Sequence, residues 1–410
     1  MKVNRQSKSD PTTSPNTNEF IPYGRQEISD EDIQAVVTAL QSSHLTQGEA
    51  VPIFESAIAK RVSSNFAIAT NSATSALHVA CLGLGLGPED ILWTSPISFV
   101  ASANCGLYCG ATVDFVDVDP ATGRVCTYKL EEKLEHADVL GVLPKIFIPV
   151  HLGGHSCDME KIKKLSERYG FKIIEDASHA VGATFQNQPV GSCQYSDAVV
   201  FSFHPVKIIT SGEGGMVTTN DEELASRLEM LRNHGITRDG AKLTDRHSGA
   251  WYYEQQSLGL NYRLSDIHAA LGHSQLKRLD QFINQRRQLV EAYNLGLKNL
   301  PIGLPAENEL HESSWHLYAI RIDPDSGISR RHLYDILVEK NIGVNVHYIP
   351  IYRHPFFRQL NIDPFDFPGS ENYYESALTI PLHPGLSQTM IGRICDEISA
   401  ALGRPQDDQC

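Results

Sequence analysis

The sequence SFHPVKIITSGEGG, residues 202–215, sets one lysine, Lys207, between an apolar run and a glycine-rich turn. The apolar neighbours of this lysine are Phe203, Pro205, Val206, Ile208 and Ile209. A lysine on a solvated loop, the ordinary alternative, would not need them. Burial lowers the pKa of an amine and leaves it free to attack a carbonyl, as a Schiff-base lysine must. The glycines at 212, 214 and 215 allow a sharp backbone turn beside it.

A second segment, IIEDASHA at residues 173–180, ends an apolar, β-type run with a carboxylate. A charged carboxylate at the end of a buried strand needs a partner. For Asp176 that partner is either a pyridinium N–H or the helix N-terminus expected at Ala177. An imine-forming lysine and an aspartate that pairs with a pyridinium nitrogen are the two groups that a pyridoxal phosphate (PLP) site needs from its protein. Lys207 and Asp176 together therefore predict PLP chemistry.

A candidate phosphate site lies at Ser72, Ala73 and Thr74, where a predicted strand gives way to a helix. Free backbone N–H groups and the positive helix end can hold a phosphate there, and the hydroxyl groups add donors. An ordinary helix N-cap is the alternative. Taken alone, the turn is better explained as an N-cap, because such turns are common, and only Ser202 and Lys207 further along the chain favour the phosphate site.

Two ring side chains are further candidates for the cofactor site. Phe99 follows the next predicted strand, where it could stack on a cofactor ring, although a lone phenylalanine there is more often part of a core. His179 could contact the ring or its phenolic oxygen, and a buried core histidine is the alternative. Neither residue predicts a cofactor by itself.

Short apolar or β-branched runs alternate with helix-length segments through the first 265 residues. The runs cover residues 91–94, 112–118, 145–150, 172–175 and 198–203. Helices are predicted after an N-cap at Ser29 or Asp30, over residues 51–61 and over residues 159–169. The alternation predicts an α/β fold with a mostly parallel, doubly wound sheet.

The pattern changes after Leu264, where residues 266–300 predict a long helix and residues 316–322 and 344–348 predict strands. A chain of 410 residues exceeds what one core usually holds, so two domains are expected. We predict a large domain over residues 20–265 and a smaller α+β domain over residues 266–410. Residues 1–19 are polar and predict a disordered tail.

The composition limits the partners of the chain. The 35 basic and 49 acidic residues give a net charge of −14, which argues against a broad nucleic-acid or anionic-membrane surface. An anionic substrate would need a local basic pocket. The eight cysteines show no spacing of a metal site or a disulfide framework, and no signal peptide or membrane span is visible. A cytoplasmic protein without a metal is therefore expected.

The motifs NSATSALH, IIEDASHAVG, SFHPVKIITSGEGG, LRNHG, GLNYRLSD and IPLHPGLS resemble the sugar aminotransferases of the DegT/DnrJ/EryC1/StrS group. The resemblance runs from about residue 20 to about residue 402. It implies a PLP-dependent transferase of fold type I, with a mostly parallel seven-stranded sheet in the large domain and a smaller α+β C-terminal domain.

The resemblance also assigns roles to the candidate residues. It implies that Lys207 forms the imine with PLP and that Asp176 pairs with the pyridine nitrogen. Phe99 stacks on the ring, although many relatives carry Trp or Tyr there. The phosphate ligands are Ser72, Ala73, Thr74 and Ser202, together with Asn261 from the neighbouring subunit. That last role implies a homodimer with shared active sites.

Within the family, residues 251–263 and the FHPVK motif are most similar to the pseudaminic acid branch. That branch implies transfer of an amino group from glutamate to C4 of a UDP-linked 4-keto-6-deoxy-HexNAc sugar. Ile208 and Ser211 depart from the proline and threonine expected after the lysine. The candidate substrate contacts are His234, Arg238, His316, Tyr318, His347 and Tyr348, each with an ordinary interdomain polar residue as the alternative.

Three other functions are compatible with parts of this pattern. One is an aminotransferase for a different nucleotide-linked keto sugar, because pocket shape selects the sugar. Another is a PLP-dependent sugar dehydratase, whose relatives replace the lysine with histidine, so Lys207 argues against it. The third is a non-catalytic PLP sensor, which usually carries an added DNA-binding domain. No helix-turn-helix or basic patch is visible in the sequence.

Overall fold

The fold is described here from a computed structural model, over residues 19–245, 249–305 and 310–403. The strands are β1 (Phe66–Thr70), β2 (Ile91–Thr94), β3 (Thr112–Phe115), β4 (Ile146–Ile148), β5 (Lys172–Asp176), β6 (Thr184–Phe185), β7 (Gln188–Pro189), β8 (Ala198–Ser202), β9 (Gly215–Thr219), β10 (Ile236–Thr237), β11 (Glu254–Gln255), β12 (Ile302–Gly303), β13 (His311–Glu312), β14 (Tyr318–Ile322) and β15 (Ala377–Ile380).

The α-helices are α1 (Asp30–Gln41), α2 (Ala50–Val62), α3 (Ala73–Gly83), α4 (Ala101–Tyr108), α5 (Thr127–Leu140), α6 (Met159–Tyr169), α7 (Glu222–Arg232), α8 (Asp266–Leu276), α9 (Leu279–Leu297), α10 (Arg330–Glu339), α11 (Pro368–Ser376) and α12 (Gln388–Ala401). Short 3-10 helices cover Leu152–Gly154, Pro324–Ser326, Ile351–Arg353, Pro355–Leu360 and Pro364–Asp366. Among the described residues, no helix is both long enough and apolar enough to cross a membrane.

The central sheet has seven strands in the order β1-β9-β8-β5-β4-β2-β3. Strands β8, β5, β4, β2 and β3 are mutually parallel, and β9 runs antiparallel between β1 and β8. Six strands therefore point the same way, so their C-terminal ends meet at one edge. The predicted α/β class and the mostly parallel seven-stranded sheet are confirmed.

Helices cover both faces of this sheet because neighbouring residues of a strand point to opposite sides. In β4, Ile146 and Ile148 pack with α3, α4 and α7, whereas Phe147 packs with α5 and α6. The same alternation sends Val200 of β8 to the first face and Phe201 to a cluster with α2. The apolar runs that predicted the strands are continuous because both faces are buried.

Two of the three predicted helices, α1 and α6, begin at side-chain caps. Ser29 caps α1 through a capping box with Asp32, and Asp158 caps α6 by accepting the Lys161 N–H. Each cap satisfies a backbone N–H that has no partner inside the helix. The position of α6 agrees with the interval predicted from the sequence.

A second core surrounds the antiparallel sheet β12-β14-β15 and includes residues of α9, α10 and α12. Alternation along β14 buries Tyr318, Ile320 and Ile322 in this core. The core also receives Ile21, which forms a parallel bridge with Ile342. A residue from the start of the described chain thus packs beside the C-terminal sheet.

Two expectations for the C-terminal part were wrong. Residues 266–300 form α8 and α9 rather than one helix, because α8 packs on α1 and α2 while most of α9 packs in the second core. Residues 344–348 form no strand and contribute one bridge, between Asn345 and Thr379. The division near residue 265 stays a prediction. The predicted tail, residues 1–19, lies outside the described residues except for Glu19.

Candidate active site

A cavity of about 350 Å³ opens at the edge where the C-terminal ends of the parallel strands meet. Open α/β sheets generally bind ligands at this edge. Eleven residues predicted from the sequence line the cavity: Ser72, Ala73, Thr74, Phe99, Asp176, His179, Ser202, Lys207, His316, His347 and Tyr348. They come from both the central sheet and the segments around the second core.

Lys207 follows the end of β8 by five residues, and its backbone N–H donates to the carbonyl of His204 at 3.0 Å. Its side chain lines the cavity, and the surrounding protein atoms remove most of its hydration. This desolvation lowers the pKa of Lys207 to about 8, and the negative charge of Asp176 opposes the shift. Among the described residues, no carboxylate forms an ion pair with Lys207. A larger fraction of this amine is therefore in the free-base form near neutral pH than for a solvated lysine.

Asp176 is the last residue of β5 and is 6% exposed. The Ser102 hydroxyl donates to Oδ2 at 2.6 Å, and the Ser178 N–H donates to Oδ1 at 3.1 Å. The hydroxyl oxygens of Ser98 and Ser102 are 2.7 Å apart. These contacts fix the carboxylate in one orientation at the cavity wall. An aspartate held in this way can accept a hydrogen bond from a cationic ring nitrogen.

The N-terminus of α3 forms another part of the cavity wall. Ser72 is the N-cap, and its hydroxyl oxygen accepts the N–H of Ser75 at 3.1 Å. Among the described residues, no acceptor pairs with the N–H of Ala73 or Thr74. These two donors and the positive helix end suit a phosphate. Ser202 ends β8 at the same cavity.

Gly215 allows the strand β9 to approach this turn. A Cβ at position 215 would lie 2.6 Å from the nitrogen of Ala73 and still closer to the carbonyl oxygen of Ser72. Both contacts are with backbone atoms, which cannot rotate away. Glycine is required here by close approach, and the sequence signal was the Gly214-Gly215 pair.

Three histidines line the side of the cavity near the second core. Burial lowers the pKa of His179 and of His316 well below the ordinary range, and the charge on Lys207 contributes to both shifts. Burial with the same charge lowers the pKa of His347 to about 3. All three rings are therefore neutral at pH 7 and act through hydrogen bonds rather than charge.

The predicted ring-stacking residue, Phe99, lies at the cavity with 59% of its surface exposed. Its ring centroid is 6.5 Å from that of Tyr348. Covering this exposed ring would remove apolar surface from water, which is favourable. A planar ligand in the cavity could provide that cover.

The structure does not bring four of the predicted residues to this cavity. Tyr318 is fully buried in the second core, where its ring stacks on Tyr293 and its hydroxyl donates to Asn294 at 2.7 Å. The other three, His234, Arg238 and Asn261, are exposed on the surface. Strand alternation explains the position of Tyr318, because it directs this side chain into the second core. Tyr318 therefore does not reach the cavity, where a substrate contact was predicted for it.

The three exposed residues belong to one surface region. The His234 N–H donates to the carbonyl of Leu260 at 2.8 Å, and Asn261 forms a bridge with Asn233. The carbonyl of Tyr262 accepts the N–H of Asn71, which precedes the N-cap of α3. Asn261 is therefore exposed and is next in sequence to a residue that contacts the turn before α3.

The sequence prediction missed several cavity residues, including Tyr23, Glu213 and Asn345. No local pattern marks Tyr23, because its position depends on the bridge between Ile21 and Ile342. Asn345 had a usable signal: it lies two residues before His347, and alternate residues of an extended segment share a face. Glu213 lies within the glycine-rich turn after Lys207.

The donor set fits PLP. Lys207 can form an imine with its aldehyde, Asp176 can face its ring nitrogen, and the unpaired N–H groups of α3 can hold its phosphate. The fold and this arrangement define a PLP-dependent transferase of fold type I.

Comparison with known proteins then gives the family. The family model described as the DegT/DnrJ/EryC1/StrS aminotransferase family matches residues 26–399. The chain therefore belongs to this family and is a PLP-dependent sugar aminotransferase.

Among curated proteins, the spore coat polysaccharide biosynthesis protein SpsC of Bacillus subtilis is 37% identical over 388 residues, covering 93% of this chain and 97% of SpsC. The UDP-4-amino-4,6-dideoxy-N-acetyl-β-L-altrosamine transaminase of Campylobacter jejuni is 35% identical over 393 residues, covering 95% of this chain and 100% of the relative. Both relatives match nearly the whole chain.

Among solved structures, Helicobacter pylori PseC, an aminotransferase of pseudaminic acid biosynthesis, matches with a TM-score of 0.85 and 30% identity, covering 94% of this chain and 99% of PseC. Spr1654 from Streptococcus pneumoniae in its PLP form matches with a TM-score of 0.84 and 27% identity, covering 94% and 99% of the two chains. A PMP form of Spr1654 matches with the same TM-score of 0.84. The cofactor expected from the sequence is confirmed as PLP.

Proposed function

We propose that this enzyme transfers an amino group from glutamate to C4 of a UDP-linked 4-keto-6-deoxy-HexNAc sugar. The observation that carries the aminotransferase chemistry is the placement of Lys207 and Asp176 in one cavity. The identity of the sugar rests on the Campylobacter jejuni relatives of 35% and 34% identity, which are named as altrosamine transaminases, and on the likeness to PseC.

Bound PLP supplies an aldehyde carbon that carries the amino group and a ring that accepts electron density. Asp176 would keep a proton on the ring nitrogen of bound PLP, and the Ser102 hydroxyl and the Ser178 N–H keep its carboxylate in place. The Nζ of Lys207 would accept and return the proton at the α-carbon of the amino donor. Its pKa of about 8 is close to the working pH, as a group that both accepts and releases a proton requires.

The sugar substrate is proposed to contact His316, His347 and Tyr348, which line the cavity on the side of the second core. Because the histidines are neutral there, they can recognise sugar oxygens by hydrogen bonds. A chain with a net charge of −14 must bind the diphosphate through local donors. Such contacts strengthen when the cavity mouth loses water.

We propose a homodimer in which Asn261 reaches the phosphate bound by the partner subunit. Its exposure, and that of His234 and Arg238 in the same region, is compatible with such a contact. The enzyme is proposed to work in the cytoplasm, where thiols stay reduced. The seven cysteines within the described residues are free thiols, which supports this location.

The test of the sugar is a comparison of kcat/KM for UDP-4-keto-6-deoxy-L-AltNAc and dTDP-4-keto-6-deoxyglucose, with glutamate as donor. We expect a clear preference for the UDP sugar, because uridine has a 2′-hydroxyl and lacks the methyl group of thymidine. Equal values, or preference for the dTDP sugar, would contradict the proposed substrate. They would favour an aminotransferase for another nucleotide-linked keto sugar, which the likeness to SpsC also allows.

Shared sites can be tested by mixing two inactive or impaired variants, Lys207→Ala and Asn261→Ala. A mixed dimer would hold one site with both defects and one intact site. Random exchange at equal amounts makes about half of the dimers mixed, so the activity of the mixture should rise to about a quarter of that of the wild-type enzyme. Subunit exchange is verified by mass-tagged subunits. If exchange occurs and no activity returns, the two residues act within the same subunit.

A further inference from the structure

The ring of His179 has a defined tautomer. The backbone N–H of Gly153 donates to its Nδ1 at 3.2 Å, so Nδ1 carries no proton. Burial, with the charge on Lys207, lowers the pKa of His179 and keeps the ring neutral. A neutral imidazole has one N–H. The proton of His179 is therefore on Nε2.

This tautomer fixes the direction of the next hydrogen bond. Nε2 of His179 lies 3.1 Å from the phenolic oxygen of Tyr348, and the two rings are close to parallel, at 24°. Because Nε2 carries the proton, it donates and Tyr348 accepts. The hydroxyl proton of Tyr348 is then free to point elsewhere. Among the described residues, no acceptor is within hydrogen-bond reach of it.

The phenol also stays protonated. Burial raises the pKa of Tyr348 above its ordinary value, and the negative charge of Asp176 adds to the shift. A phenol with a raised pKa is a poor acid and a poor base, so its role here is that of a hydrogen-bond donor. The side chain lines the cavity together with Lys207 and Asp176.

We propose that Tyr348, oriented by His179, is a fixed hydrogen-bond donor that binds a carbonyl or phenolate oxygen in the cavity. Two oxygens have this chemistry: the phenolic oxygen of PLP and the C4 oxygen of the keto sugar. The second source rests on the proposed function, whereas the first requires only the cofactor. His179 acts here as a positioning residue, because it sets the direction of the Tyr348 hydroxyl.

The test uses Tyr348→Phe, which keeps the ring and removes the donor. Tyr318→Phe is the matched control, since it removes a buried tyrosine hydroxyl that bonds Asn294 outside the cavity. The first measurement is a spectroscopic titration of the Lys207 imine in holoenzyme without substrates. If Tyr348 binds the phenolic oxygen, its loss leaves more charge on that oxygen and raises the imine pKa by about one unit or more.

The second measurement follows the two half-reactions separately by absorbance. If Tyr348 binds the C4 oxygen, the amino form of Tyr348→Phe should react with the keto sugar about 10²- to 10³-fold more slowly, while glutamate still converts the PLP form at the wild-type rate. If the proposed keto sugar is not the substrate, neither the wild-type enzyme nor any variant will react with it in this half-reaction. The imine titration would still test the donor in that case.

The two measurements decide the proposal together. A shift in either one that is absent from Tyr318→Phe supports the donor and identifies its acceptor. An unchanged imine pKa together with unchanged half-reaction rates in folded Tyr348→Phe overturns it. The role of His179 is tested by adding Tyr348→Phe to His179→Ala. If His179 orients Tyr348, the second substitution should change the imine pKa and the half-reaction rates little further. Fully additive effects would overturn the positioning role.

Discussion

At the scale of single residues, the chemistry depends on how Lys207 is solvated. Removal of water disfavours its charged form, and the nearby carboxylate of Asp176 favours it. The two effects oppose each other, and desolvation is the larger, so the pKa falls to about 8 rather than to the much lower values of isolated buried lysines. The amine keeps enough basicity to move protons and enough free base to form an imine.

This balance predicts the pH dependence of cofactor capture. Imine formation needs the free amine, so the rate at which the apoenzyme binds PLP covalently should rise with pH and level off above about 8. Stopped-flow absorbance of the imine band measures it. A rate that rises up to pH 10 or beyond would mean that Lys207 has the ordinary pKa of a solvated lysine.

The positions of Lys207 and Asp176 at the cavity could be predicted from sequence because their local segments carry the signal: an apolar run, a charged residue and a turn. Tyr23 could not, since only the long-range bridge between Ile21 and Ile342 brings it to the cavity. Tyr318 was predicted to contact the substrate but does not line the cavity. Its residue type suits a substrate contact, but the β-strand period turns its side chain into the second core.

At the scale of secondary-structure elements, the phosphate end of the site depends on the contact between α3 and β9. The first strand ends at Thr70, the chain turns at Ser72, and the start of β9 packs directly against that turn. The unpaired N–H groups of α3 therefore have their position set by a neighbouring backbone. A side chain at position 215 would displace the backbone of this turn and, with it, the unpaired N–H groups of α3.

Gly215→Ala should weaken PLP binding by about tenfold and destabilise the fold by roughly 1–3 kcal/mol, because the new methyl group overlaps backbone atoms. PLP titration and denaturant unfolding measure the two effects. Gly392→Ala, in α12, is the matched control, since a Cβ at this position would meet nothing within 4 Å apart from its chain neighbours and the nearby backbone of its own helix. The control should keep PLP affinity and gain up to about 1 kcal/mol. Equal behaviour of the two variants would contradict the proposed contact.

Local patterns predicted the strands of the central sheet well, because strands buried on both faces read as continuous apolar runs. The runs at residues 91–94, 172–175 and 198–203 coincide closely with β2, β5 and β8. The break between α8 and α9 was missed because no glycine or proline marks it. That break follows from packing, since the two helices lie against different neighbours.

At the scale of the whole molecule, α9 connects the two packed regions. Its first residues, Leu279, Phe282 and Ile283, pack with the central sheet, and Leu289 and Tyr293 pack in the second core. One helix therefore contributes side chains to both cores. Local sequence patterns could not reveal this link, because it depends on which partners each turn of the helix meets.

The buried histidines predict how global stability changes with acid. Burial lowers the pKa of His155, His179, His311, His316, His347 and His383. Below about pH 6.5 the unfolded chain binds protons that these folded rings do not, so stability must fall as pH falls. Each ring contributes up to about 1.4 kcal/mol per pH unit until the pH reaches its folded pKa.

The pKa of His151 shifts in the opposite direction, upward, so this residue does not alter the loss of stability expected below pH 6.5. Burial opposes the shift, but the contacts with Cys157 and Glu175 outweigh it and raise the pKa of His151, so this ring is not among those that lose stability as the pH falls. Denaturant unfolding of the holoenzyme should give a smaller free energy of unfolding at pH 5.0 than at pH 6.5. His383→Asn should reduce the slope by about one proton, and the exposed control His44→Asn should not. Stability that does not fall between these pH values would contradict the assignment of neutral buried rings.

The central claim is that Lys207 forms the covalent bond to PLP in the cavity. Reduction of the holoenzyme with borohydride, followed by peptide mapping and mass spectrometry, tests it directly, because reduction makes the imine permanent. We predict one pyridoxyl phosphate group per chain, on the peptide that contains Lys207, and none in Lys207→Ala. A stable adduct on a different lysine, or an active wild-type enzyme with no adduct at Lys207, would contradict the claim.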